Sequence, residues 1–126
     1  MNKEIIKTDG APQPVGPYNQ AVVCGGLVFT AGQIGLVPGT KEFAGDDVGS
    51  QTRQALSNLK AVLEAAGSGL DKALKTTVFL KDMDDFAAMN EVYAAHFTDD
   101  PPSRSAVEAA RLPLDALVEI ECIAHL

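Results

Sequence analysis

Two short segments near the C-terminus carry charges in otherwise strand-like sequence. Pro102-Ser103-Arg104-Ser105-Ala106-Val107-Glu108 holds one arginine and one glutamate, and Leu117-Val118-Glu119-Ile120-Glu121 holds two closely spaced glutamates. Charge in such a setting needs water, a partner or a ligand. A guanidinium presents a planar fork that matches a carboxylate bidentately and stays charged when desolvated. A nearby glutamate can orient a water molecule or pass a proton. The set therefore suits a small substrate bearing a carboxylate, with Arg104 gripping it and one of the glutamates handling water. The competing reading is an ion pair at a subunit interface, Arg104–Glu121 or Arg104–Glu108, with Glu108 otherwise solvated at the surface.

The strand period fixes part of the geometry. Val118, Ile120, Cys122 and Ala124 form a purely apolar face, so Glu119 and Glu121 point away from the core. Arg104, Ala106 and Glu108 share one face of their own segment. If that face lies on the same side as Glu119, the guanidinium and the carboxylates meet in one partly buried cleft.

Other chemistries find little support. His96 and His125 are isolated and belong to no ligand cluster, so no metal is expected. Neither histidine sits in a nucleophile–base arrangement. Gly25-Gly26 and Gly67-Ser68-Gly69 lack the longer pattern and the lysine of a phosphate loop, and no cofactor fingerprint is present. Cys24 and Cys122 lie in apolar runs without CxxC spacing and read as reduced, buried thiols.

The elements that must position the charges can be read in order. Residues 3–7 suit a short first strand. Three prolines and two glycines in Asp9-Gly10-Ala11-Pro12-Gln13-Pro14-Val15-Gly16-Pro17 make a loop of fixed path that delivers Tyr18, either a packing plug or a pocket wall. Residues 21–24 and 27–32 form a hairpin around Gly25-Gly26. Gly32 and Gly35 at its end mark a bulge or a close backbone approach, as to a ligand. Asp46 or Asp47 caps a helix running to about Ala66, with Gly67 just beyond. Its apolar face is Ala55, Leu56, Leu59, Val62, Leu63 and Ala66, and its polar face includes Gln51, Arg53, Asn58, Lys60 and Glu64.

Residues 74–81 alternate as a strand, with Leu74, Thr76, Val78 and Leu80 on one side. Asp82 or Asp84 caps a second helix of about four turns ending near Phe97. Phe86, Met89, Tyr93 and Phe97 form its apolar stripe. Asn90 lies on the same stripe, where an amide must bond either to backbone or to something bound. Asp99-Asp100-Pro101-Pro102 ends that helix, and residues 103–110 and 117–124 make the last two strands.

The fold class that follows is α+β: one domain over residues 1–126, with a mixed sheet and two helices on one face. The other sheet face has no cover from this chain, which predicts a homo-oligomer with sites at subunit interfaces. At 126 residues and 46% hydrophobic, the chain can bury a core without disulfide or metal. The net charge of −7 opposes binding to nucleic acid or an anionic membrane. No window approaches a membrane-spanning length, and Met1-Asn2-Lys3-Glu4 lacks a signal-peptide layout, so a cytoplasmic location is expected.

Gly16-Pro17-Tyr18, Thr30-Ala31-Gly32-Gln33, Ala65-Ala66-Gly67, residues 75–82, Asn90-Glu91-Val92-Tyr93, Pro102-Ser103-Arg104-Ser105, Arg111-Leu112-Pro113 and Val118-Glu119-Ile120-Glu121 together resemble the YjgF/RidA (reactive intermediate deaminase) family along essentially the whole chain. The resemblance implies a chorismate-mutase-like fold and a homotrimer with clefts between subunits. It implies cofactor-free hydrolysis of enamines and imines, of the 2-aminoacrylate and 2-iminobutanoate type, to 2-keto acids and ammonia. By the same resemblance Arg104 binds the substrate carboxylate and Glu119 directs the attacking water. Tyr18, Asn90 and backbone near Gly32 and Ala106 line the cleft. Ala106 stands where the family usually has cysteine, and Ala31 where serine is frequent; both make the pocket less polar and point to a shifted substrate range. The alternative function is a non-catalytic trimer that binds or senses a 2-keto acid.

Overall fold

Seven strands form one sheet in the computed structural model, which describes residues 2–126. They are β1 (Glu4–Ile6), β2 (Ala21–Cys24), β3 (Leu27–Thr30), β4 (Gln33–Ile34), β5 (Ala73–Leu80), β6 (Ser103–Glu108) and β7 (Val118–His125). Their spatial order is β1-β2-β3-β7-β5-β6, and β4 pairs with β7 beyond the end of β3. Only β5 and β6 run parallel, joined by a helical crossover; the other pairs are antiparallel. β6 is thus an edge strand, and it carries Arg104.

The β2–β3 turn is the expected one. Gly25 and Gly26 both have positive φ, 60° and 78°, as a two-residue hairpin turn that follows strand twist demands. The bulge expected near Gly32 is also present. Phe29 pairs with Ile123 and Gln33 with Ile120, so three residues of one strand face two of the other. Thr30 helps close this gap: its Oγ1 accepts from the Cys122 amide at 3.0 Å.

Helix α1 (Val48–Ala65) starts at Asp47, whose carboxylate accepts from the Ser50 amide at 2.9 Å and the Ser50 hydroxyl at 2.7 Å. Its buried side includes Ala55, Leu56, Leu59, Val62 and Leu63. Two residues assigned to its polar face are buried instead. Gln51 donates to Gly45 O and accepts from the Leu117 amide, and Asn58 donates to Ile34 O and Leu36 O. Both side chains satisfy backbone groups at the sheet end and in the adjoining loops, which repays burying an amide.

Helix α2 (Phe86–His96) is three turns, not four. Asp82 does act as a cap, accepting from the Asp84 amide, but the turn it caps is a 3₁₀ turn over Met83–Asp85 that precedes the helix. Met89, Tyr93 and Phe97 are buried as expected, and Phe86 is half-buried.

Both helices pack on one sheet face. Val28, Val78, Leu80, Val118, Ile120 and Ala124 meet them there, all fully buried. Leu74 does not join this set. A bulge between Ala73 and Lys75 turns it outward, where it is exposed. On the other face Phe29 and Val107 are 40% and 43% exposed, so that side of the sheet is left uncovered by this chain. Among the described residues no helix is long and apolar enough to cross a membrane.

Candidate active site

Register decides which way each charge points. In the parallel pair, Arg104 lies beside Thr76, Ala106 beside Val78 and Glu108 beside Leu80. Thr76, Val78 and Leu80 are buried on the helix side, so Arg104, Ala106 and Glu108 point there too. β7 has the opposite parity. Val118, Ile120 and Cys122 are buried, while Glu119 and Glu121 stand opposite Phe79 and Thr77 on the uncovered face. The condition for a cleft that unites Arg104 with the carboxylates is therefore not met within one chain. The sheet separates them.

On the helix side, Arg104 is held by neutral groups. Its Nη1 donates to Asn90 Oδ1 at 2.7 Å. Its guanidinium carbon lies 4.7 Å from the Tyr93 ring centroid and 5.4 Å from that of Phe86, both cation–π distances. Tyr93 is anchored in turn: its hydroxyl shares a 2.6 Å hydrogen bond with the Thr76 hydroxyl. Burial raises the Tyr93 pKa, against smaller lowering effects from Thr76 and Arg104, so the phenol stays neutral.

Within one chain Arg104 pairs with neither Glu121 nor Glu108, and among the described residues no carboxylate lies within pairing distance. Glu121 of the same chain lies on the opposite sheet face. Glu108 is neither a partner nor simply solvated; its Oε1 accepts from the Met83 amide at 2.9 Å and supports the 3₁₀ turn. Among the described residues the Asn90 amide bonds neither to backbone nor to a ligand; its oxygen accepts from the Arg104 side chain instead.

On the uncovered face, Glu119 is half-buried. Its pKa is raised, first by burial and then by the Glu121 carboxylate. Gly32 lies against it. A Cβ on Gly32 would sit 2.8 Å from Glu119 Cδ and 2.9 Å from both Cγ and Oε2. The glycine is therefore needed for close approach, but what approaches is the Glu119 side chain. Tyr18 is 49% exposed, and its hydroxyl has no hydrogen-bond partner among the described residues. Ala106 is half-buried, on the same face of β6 as Arg104. Cys122 is a core thiol whose pKa burial pushes up to about 12, and it forms no disulfide with Cys24.

Sequence reasoning treated Phe86 and Tyr93 only as core. Their spacing from Asn90 carried the missing signal. Phe86, Asn90 and Tyr93 lie on one stripe of α2, so whatever Asn90 touches, the rings reach as well.

Residues 8–126 match the family described as endoribonuclease L-PSP. A RutC family protein of Pyrococcus horikoshii is 55% identical over 123 residues, 98% of each chain. The chain belongs to the YjgF/RidA (endoribonuclease L-PSP) family. A further family relative, from Salmonella typhimurium, is named 2-iminobutanoate/2-iminopropanoate deaminase and is 50% identical over 122 residues, 94% of each chain. Among solved structures of the YjgF/RidA family, E. coli TdcF with bound serine superposes with a TM-score of 0.93 at 46% identity, covering 98% of each chain. The chorismate-mutase-like α+β expectation thus holds at the level of the whole fold.

Proposed function

We propose that this protein hydrolyses small 2-imino acids, and the enamines that tautomerise to them, to 2-keto acids and ammonia. One observation carries the reading: Arg104 is a partly buried cation, held in place yet unpaired with any carboxylate among the described residues. A guanidinium with that surplus charge is suited to a ligand carboxylate. The name of the Salmonella relative supports the reaction class, and the serine in the E. coli structure is itself a small α-amino carboxylate.

The chemistry asks little beyond positioning. Protonation of the imine nitrogen makes its carbon electrophilic. Water adds there as a proton passes to Glu119. The proton is returned to nitrogen, the carbon–nitrogen bond breaks as Glu119 takes the hydroxyl proton, and ammonia leaves as the carbonyl forms. The raised pKa of Glu119 suits a group that takes and returns a proton. No organic cofactor enters any of these steps.

We place the working site between subunits of a homotrimer. Arg104, Asn90 and Ala106 come from the edge-strand side of one protomer, and Glu119, Gly32 and Tyr18 from the uncovered face of the next. The separation of the two charge types by the sheet, the uncovered sheet face with its exposed Phe29 and Val107, and the exposed Tyr18 all favour this arrangement. An endoribonuclease role is disfavoured by the net charge of −7.

The test is to generate 2-iminobutanoate in situ with a threonine dehydratase and follow 2-ketobutyrate. Wild type should accelerate its appearance, and Arg104→Ala should not. No acceleration by wild type, or equal acceleration by the variant, contradicts the proposal. The apolar side chains of Ala31 and Ala106 motivate a second reading, a trimer that binds 2-keto acids without turnover. Thermal stabilisation by 2-ketobutyrate with no acceleration would favour it.

A further inference from the structure

We infer that Tyr93 is a positioning residue: its ring, tied to the sheet through Thr76 and aided by Phe86, keeps the Arg104 guanidinium aimed before substrate arrives. The inference rests on the reading of Arg104 as the carboxylate clamp.

The residues form a closed circuit. Arg104 sits on β6 directly beside Thr76 on β5. Thr76 is buried and shares its hydroxyl bond with Tyr93, also buried. The Tyr93 ring then lies under the guanidinium of Arg104, 4.7 Å away, and closes the loop. Phe86 and Asn90, on the same stripe of α2, add a second ring and one hydrogen bond.

The choice of neutral partners has a consequence. An arginine stem is long and loses much rotamer freedom when a ligand orders it. A carboxylate partner would order it in advance but would compete with the substrate for the same charge. An aromatic ring engages the flat face of the guanidinium and leaves its N–H edge open. Asn90 takes one of five N–H donors, and the others remain available for a bidentate carboxylate. Thr76 fixes the ring that does the aiming, so the sheet itself registers the clamp. Such preorganisation improves binding of any ligand carboxylate, in the ground state and the transition state alike.

The test uses the full-length protein with Tyr93→Leu, Tyr93→Phe and Phe86→Leu, and two readouts. The first is steady-state kinetics on 2-iminobutanoate generated in situ. Tyr93→Leu should raise KM about tenfold, with kcat largely kept. Tyr93→Phe retains the ring and should bring KM back most of the way. Phe86→Leu, removing the more distant ring, should raise KM about threefold. The second readout needs no substrate: the order parameter of the Arg104 Nε–Hε bond, from ¹⁵N relaxation. It should be high in wild type and Tyr93→Phe and fall in Tyr93→Leu.

An unchanged KM and an unchanged Arg104 order parameter in Tyr93→Leu would overturn the inference. If that variant does not fold, Phe86→Leu decides by the same two measures. If wild type shows no turnover, the imine reading fails by itself, and the Arg104 order parameter alone then decides whether Tyr93 positions it.

Discussion

The two faces of the sheet treat charge in opposite ways. On the helix side, Arg104 is a cation surrounded by rings and an amide, with no carboxylate partner among the described residues. On the uncovered side, Glu119 and Glu121 are neighbouring carboxylates whose mutual repulsion adds to burial in raising the Glu119 pKa. Each face carries a charge that the other could balance, and β5 lies between them. A protein that needed only stability would pair such charges or leave them in water. Keeping them apart and partly buried makes sense when a second copy and a ligand complete the set.

Variants on the two faces should therefore fail differently. The largest effect is expected at Glu119. Glu119→Gln keeps the shape but cannot take a proton, and should lower kcat by about 10²–10⁴. The same change should stabilise the fold, with a defined sign. A raised folded-state pKa means that the stability linked to protonated Glu119 is present below the ordinary carboxylate value of 4.5 and is lost as pH rises through the folded value. Glutamine cannot ionise, so its advantage in melting temperature should appear at pH 8 and shrink at pH 4. Thermal melts at the two pH values check this.

Arg104→Ala should act on the other face, lowering kcat/KM about a hundredfold or more through lost carboxylate binding. Because 2-ketobutyrate carries the same carboxylate, its affinity should fall in parallel, measurable by calorimetry. A variant that lost turnover but kept product affinity would remove Arg104 from the binding role.

Gly32→Ala distinguishes position from chemistry. Its new Cβ would meet the Glu119 carboxylate at 2.8–2.9 Å, so the side chain must shift. Displacing a reacting group by about an ångström can cost up to about a hundredfold in rate. The affinity for 2-ketobutyrate, set on the Arg104 side, should hold. The smallest effect is expected from Glu121→Gln. Removing that charge lowers the Glu119 pKa towards the ordinary range, so the acid limb of the pH–rate profile should move to lower pH.

Much of this architecture was legible in the residue pattern. Gly25-Gly26 between apolar runs gave the hairpin, the Asp46-Asp47 pair marked the start of α1, which Asp47 caps, and the strict alternation of Val118, Ile120, Cys122 and Ala124 turned Glu119 away from the core. The facing of Arg104 was not legible, for a physical reason. Residues 103–108 alternate Ser, Ser, Val against Arg, Ala, Glu, and neither set is an apolar face. Only the parallel register with β5, in which Arg104 neighbours Thr76, fixes its direction. Gln51 and Asn58 misled in the converse way. Their polarity suggested solvent, but the backbone carbonyls of Ile34, Leu36 and Gly45 and the Leu117 amide drew them inward.

The central claim is that Arg104 of one protomer and Glu119 of another form one site. Subunit mixing tests it most directly. Arg104→Ala and Glu119→Gln proteins, each inactive alone, are unfolded together in equal amounts and refolded. In random trimers, a cleft pairing an intact arginine with an intact glutamate from its neighbour forms about one time in four, so about a quarter of wild-type activity should return. If both residues act from the same protomer, every cleft keeps one lesion, and no activity returns.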